Sequence, residues 1–132
     1  MISKTSIQTI KALLELSKLQ MGETEGAVRI AQRIHVPKNY LGKVLQRLAR
    51  GGIVVSKKGL NGGFRLAKEP SAIRLYDVVA SFEDVNRWEG CFLNQSICSE
   101  ETACVMHQHW SKVRRGYINF LKNTTIADLN KI

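Results

Sequence analysis

Acidic residues are scarce over more than half of this 132-residue chain. Residues 1–75 carry 4 Asp or Glu against 14 Lys or Arg, whereas residues 76–132 carry 7 against 6. Prolines number only 2 and cysteines only 3. Three thiols are too few, and odd in number, to build the disulfide framework of a small secreted domain. No apolar run approaches the ~18–20 residues that cross a bilayer, so no membrane partner is expected. The start, Met1-Ile2-Ser3-Lys4-Thr5-Ser6, lacks the apolar stretch and cleavage site of a secretory signal. The expected compartment is the cytoplasm. A phosphate-binding loop and a nucleophile elbow are also missing, and the His and carboxylate positions form no recognisable catalytic set, so an enzyme is not expected.

What is present is an ordinary globular composition, 44% apolar, with a formal net charge of +9. The charge division predicts two regions of one integrated fold, 1–75 cationic and 76–132 close to neutral. The three cysteines, Cys91, Cys98 and Cys104, all lie in the second region.

The pattern is mostly helical. Thr5 and Gln8 have the spacing of a capping box and predict a helix starting there, with Ile7, Ile10, Leu13, Leu14 and Leu16 as its stripe. Thr24 is placed to cap a short second helix with Val28, Ala31 and Ile34 inward and Arg29, Gln32 and Arg33 outward. After His35-Val36, Pro37 opens a third helix at its first helical position, with Leu41, Val44, Leu45 and Leu48 on one face. Gly51-Gly52 stops it. Alternation at Ile53/Val55 and Phe64/Leu66, around the cationic Gly-rich turn 57–63, predicts a β-hairpin. A fourth helix is expected from Leu75 to Phe82, and a long one from about Gln108 to Lys122. Trp110, Val113, Tyr117, Phe120 and Leu121 give that last helix a seam for a partner helix. Thr125 and Asp128 form a capping pair for a final turn.

Three helices with a tight turn before the third, then a hairpin, make a winged helix-turn-helix. The N-terminal turns of a helix entering the major groove meet base edges. That selects Lys38, Asn39, Tyr40 and Lys43 as groove candidates, Asn for an adenine edge and Lys for guanine or phosphate. Lys57, Lys58 and Arg65 belong to the wing and are placed for the DNA backbone. Lysines on a helix are ordinarily a solvated face, and Tyr40 has the alternative of packing under the turn. The joint pattern with the local charge of +10 favours DNA. A protein-interaction module, with the charge serving solubility, is the competing class.

These residues resemble a known family. Val36-Pro37-Lys38-Asn39-Tyr40-Leu41 and Leu48-Ala49-Arg50-Gly51-Gly52-Ile53-Val54 are similar to the helix-turn-helix of the IscR/NsrR/RirA-type bacterial winged-helix iron–sulfur transcriptional regulators. Lys58-Gly59-Leu60-Asn61-Gly62-Gly63-Phe64-Arg65-Leu66-Ala67 resembles that family's wing signature, and Ile73-Arg74-Leu75-Tyr76-Asp77-Val78-Val79 follows at the expected place. The resemblance implies a homodimeric repressor on a palindromic double-stranded operator, joined by its long C-terminal helix.

Cys91-x6-Cys98-x5-Cys104 has no pair at the two-to-four-residue spacing usual in structural zinc sites. An iron–sulfur cluster, 2Fe–2S or 4Fe–4S, tolerates wider spacing and leaves one place for a fourth ligand. His107 is the nearest candidate, and His109, two residues on, is expected to point elsewhere. IscR-like members share the Cys-x2-His ending seen in Cys104-Val105-Met106-His107, although the first interval here is one residue longer. Glu89-Gly90-Cys91-Phe92-Leu93 looks more like the NsrR and RirA branches, which sense nitric oxide and iron status. Where some NsrR-type members use a carboxylate of the first helix, this chain has Gln8, a poor iron ligand; Glu15 is more distant. The resemblance thus implies sensing of nitric oxide, redox or iron status. The alternative on the same fold is a cluster-free thiol or disulfide switch.

Overall fold

A computed structural model of the chain describes residues 2–85 and 107–131. Helix α1 (Lys4–Leu16) starts one residue before the predicted box, because Ser3 is its cap, with Ser3 Oγ accepting from the Ser6 amide at 3.1 Å. Ile10, Leu13 and Leu16 are buried while Ile7 is exposed, so the inward stripe is narrower than the apolar spacing predicts.

Helix α2 (Ala27–Ile34) follows Gly26 and has no side-chain cap. Thr24, the expected cap, donates instead to the Asn61 carbonyl at 2.8 Å. The inward residues are Ile30 and Ala31; Val28, predicted to face in, is 51% exposed. His35 ends α2 in the left-handed conformation, and Pro37 caps α3 (Lys38–Arg50) from just outside rather than opening it. Leu41, Val44, Leu45 and Leu48 are all buried, as their spacing predicts. That burial leaves the opposite face of α3 to solvent.

Strands β1 (Val54–Lys57) and β2 (Gly63–Leu66) pair antiparallel, Val54 opposite Leu66 and Ser56 opposite Phe64. Val54 and Phe64 turn their common face to the core. With a side-chain period of two, Lys57, Val55 and Arg65 share the other face. A third stretch joins the edge, since Glu25 and Phe64 exchange backbone hydrogen bonds of 3.0 and 2.8 Å. Gly63 is required there: its φ is +149°, and a Cβ would lie 2.5 Å from the Glu25 carbonyl carbon.

A 3-10 turn (Pro70–Ala72) leads to α4 (Leu75–Ala80), two residues shorter than predicted. Helix α5 (His107–Asn123) then runs to α6 (Ile126–Leu129), whose Thr125–Asp128 capping box is formed as expected. The C-terminal segment is stitched back by Leu75 N–H to Thr124 O (2.9 Å) and Ile126 N–H to Ile73 O (3.0 Å). Leu121 and Ile126 join the apolar core built on Leu13, Ile30, Leu41, Leu45, Leu48 and Val78. The predicted α5 seam therefore divides. Leu121 is buried within its own chain, along with His107 and Ser111, whereas Val113 and Phe120 are 56% and 51% exposed. Among the described residues, no helix is long and apolar enough to cross a membrane.

Candidate nucleic-acid interface

Asn39 and Lys43 are exposed on the face of α3 opposite its buried leucines, and Lys38 is exposed at the N-terminal end of the same helix, on the side of Leu45. Tyr40, in the same turn, is half-buried, and its hydroxyl donates to Thr5 Oγ1 at 2.8 Å. On the hairpin, Lys57 and Lys58 are exposed, and Arg65 lies half-buried on the same outward face as Lys57. None of Lys38, Lys43, Lys57, Lys58 and Arg65 makes an ion pair with a described residue. Their charge is available to an anion.

Other cations are committed. Arg33 pairs with the buried Glu25, donating from Nη1 to Oε2 at 2.7 Å, and reaches Glu15 at 3.5 Å. The Glu25 hydrogen bond, ahead of the charges of Glu25 and Glu15, raises the Arg33 pKa further above its ordinary value. Arg33 thereby ties the end of α1, the segment before α2 and α2 itself together. Arg74 holds Asp77 with bonds of 3.1 and 2.9 Å.

Between the end of α1, the start of α2 and the wing lies an open cleft of about 830 Å³ of mixed charge, lined by Lys18, Arg29, Arg33 and Lys57 and by Glu15, Glu23 and Glu25. Arg29 lines this cleft beside the wing, a place its sequence position does not reveal. It reads only as an outer position of α2, and the Glu25–Phe64 bridge is what carries the wing to its side.

The expected metal ligands divide as well. Cys91, Cys98 and Cys104 lie outside the described residues. His107 is buried at the first residue of α5, while His109 is exposed. Glu15 is held by Lys18 and Arg33, and Gln8 is half-buried on α1. Among the described residues, no three His, Cys, Asp or Glu side chains gather as a metal site.

This arrangement of helix, turn and wing is matched by one family over nearly the whole chain. The Rrf2 family, described as iron-dependent transcriptional regulators, matches residues 2–131. The chain belongs to the Rrf2 family. It is a DNA-binding transcriptional regulator and not an enzyme. A protein of Aquifex aeolicus named as a helix-turn-helix-type transcriptional regulator is 37% identical over 123 residues, 92% of this chain and 83% of that protein. Among solved structures, IscR of T. potens is similar with a TM-score of 0.78 at 24% identity, covering 99% of this chain and 86% of that one. CymR, the global cysteine regulator of B. subtilis, is similar with a TM-score of 0.83 at 24% identity, covering 99% and 96%. The Rrf2 chain thus shares the winged helix-turn-helix fold of both.

Proposed function

We propose that this Rrf2 chain acts in the cytoplasm as a homodimeric repressor. Two copies of α3 would read a palindromic operator, with DNA affinity set by an iron–sulfur cluster on Cys91, Cys98, Cys104 and His107. The observation that carries the DNA half is the set of unpaired cations: Lys38 exposed at the N-terminal end of α3, Lys43 on its open face, Lys57 and Arg65 on the outward face of the hairpin. Asn39 and the α3 lysines face the bases, while Lys57, Lys58 and Arg65 neutralise phosphates. Tyr40, bonded to Thr5, sits at the edge of this surface. Val113 and Phe120 offer the second copy an apolar face.

For the cluster, the donor set supports the fit. Three thiolates and an imidazole are soft and borderline ligands of the kind iron–sulfur centres take. His107 is buried where α5 begins, three residues after Cys104. Bound there, the cluster supplies a centre reactive to oxidants, nitric oxide or iron supply. The chain's part is to present the three thiolates on the segment that joins α4 to α5. A second reading, a cluster-free thiol switch, draws on the likeness of fold to CymR, known from Staphylococcus aureus in an oxidised form.

Two measurements test this. Operator affinity should fall steeply with salt, and Lys57→Ala with Lys58→Ala should reduce the log–log slope by about 2, near one for each phosphate no longer neutralised. An unchanged slope removes both lysines from the interface. Anaerobically prepared protein should contain iron and sulfide that Cys91→Ala, Cys98→Ala and Cys104→Ala each lose. Absence of both, with reversible loss of DNA binding under peroxide, selects the thiol switch.

A further inference from the structure

The N-terminus of α1 is capped from a distance as well as locally. The Glu83 carboxylate, just past α4, accepts from the Ser3 amide at 3.0 Å and from the Ser6 hydroxyl at 2.5 Å. A carboxylate there meets otherwise unsatisfied amides and the positive end of the helix dipole. Ser6 is fully buried, so water does not compete for its hydroxyl. Next to Ser6, Thr5 accepts the hydrogen bond from Tyr40 in the first turn of α3. Glu83 is thus linked to the start of α3 through one turn of α1.

Its neighbour Phe82 reaches α3 directly. The Arg47 guanidinium lies over the Phe82 ring, 5.1 Å from the centroid. Arg47 is seven residues after Tyr40, about two turns further along α3. Phe82 and Glu83 therefore engage α3 at two points, one near each end. A single point would leave a pivot; two define an orientation. Apolar burial of Leu41, Val44, Leu45 and Leu48 holds α3 to the body, but it is non-directional. The hydrogen bonds and the ring contact are directional and oppose rotation of the helix about its own axis.

We propose that Phe82 and Glu83 are a positioning pair that sets the roll of α3, and with it the aim of Lys38, Asn39 and Lys43 at the bases. The chain runs from this pair to Cys91 in eight residues, so a change at the cysteines has a covalently direct route to the DNA-reading helix. This rests on the reading of α3 as the DNA-contacting helix, and the test separates the two.

The full-length chain is titrated with a duplex that it enriches from a random pool and with a scrambled duplex of equal composition. Thermal midpoints are measured in parallel. Thr5→Val, which removes the acceptor of the Tyr40 hydroxyl, and Glu83→Gln should each cut the preference for the enriched duplex by about tenfold, a typical size for coupled residues. Affinity for the scrambled duplex should hold, because phosphate contacts remain. The double variant should be no worse than the worse single one, as expected for one linked path. Unchanged preference in either single variant, or losses that simply multiply in the double, overturns the pair. If Glu83→Gln does not fold, Thr5→Val and Arg47→Met are measured as single variants by the same titration. Arg47→Met keeps the aliphatic stem but removes the charge over Phe82, so its preference should also fall about tenfold. No change in either sinks the proposal. A Lys38→Ala/Asn39→Ala control that loses preference while Glu83→Gln keeps it leaves the DNA reading intact and removes the pair. A wild-type chain that prefers no duplex removes both.

Discussion

Asp128 governs how the end of the chain responds to acid. Its Oδ2 accepts from the Thr125 amide at 2.9 Å, and Thr125 Oγ1 accepts the Asp128 amide in return. The Thr125 backbone amide, and then its side chain, hold the Asp128 carboxyl below the ordinary aspartate range. Arg74 does the same for Asp77, first through its side-chain hydrogen bonds. A carboxyl whose pKa is lower folded than unfolded stabilises the fold above its unfolded value. That contribution is lost as pH falls through the folded value. Asp128→Ala should therefore lower the thermal midpoint at neutral pH, and its difference from wild type should vanish on acidification below the usual carboxylate range. A difference independent of pH would show that the cap acts without its charge. Residue identity alone does not reveal such commitments. The sequence holds 14 cations before residue 76, but only packing separates Arg33 and Arg74, bound to carboxylates, from Lys38 and Lys57, which are not.

At the scale of elements, the wing is set by its contact with the stretch before α2. Gly63→Ala places a Cβ against the Glu25 carbonyl in a positive-φ backbone conformation. It should cost about 1–3 kcal/mol in unfolding free energy and speed amide exchange at Phe64. Unchanged exchange at Phe64 would mean that the strand edge yields without breaking. This contact also explains which elements are legible in the sequence. Helix α3 is, because four apolar residues at helical spacing outvote any alternative over 13 residues. The hairpin is, because glycine and alternation mark it together. Helix α2, with 8 residues, has room for two competing stripes, and long-range packing selects Ile30 over Val28. The cap of α1 is not legible, because Ser3 is helped by Glu83, 80 residues away. For the site, residue types and wing position can be read, whereas Tyr40's bond to Thr5 and Arg29's place beside the wing depend on tertiary approach.

At the scale of the whole molecule, α5 presents two seams. His107, Ser111 and Leu121 face the chain's own body, and Val113 and Phe120 face outward. Converting both Val113 and Phe120 to Glu should yield a monomer by sedimentation, with operator affinity lower by at least about tenfold because two half-sites are no longer held together. Dimers that persist in this variant would place the interface elsewhere. The charge division also acquires a location, since the cationic region carries α3 and the wing while the near-neutral region carries α5. The backbone stitches at Leu75–Thr124 and Ile73–Ile126 anchor α5 at its C-terminal end. A helix of 17 residues is about 25 Å long, so a tilt of about 5° at that anchor moves the far end by about 2 Å. One base-pair step is about 3.4 Å. In the proposed dimer, the separation of the two reading helices is therefore an angle magnified by a lever arm. Tolerance for operators of altered spacer length would be set by how stiffly residues 124–126 resist bending, together with the packing of His107 and Ser111 at the far end of the helix.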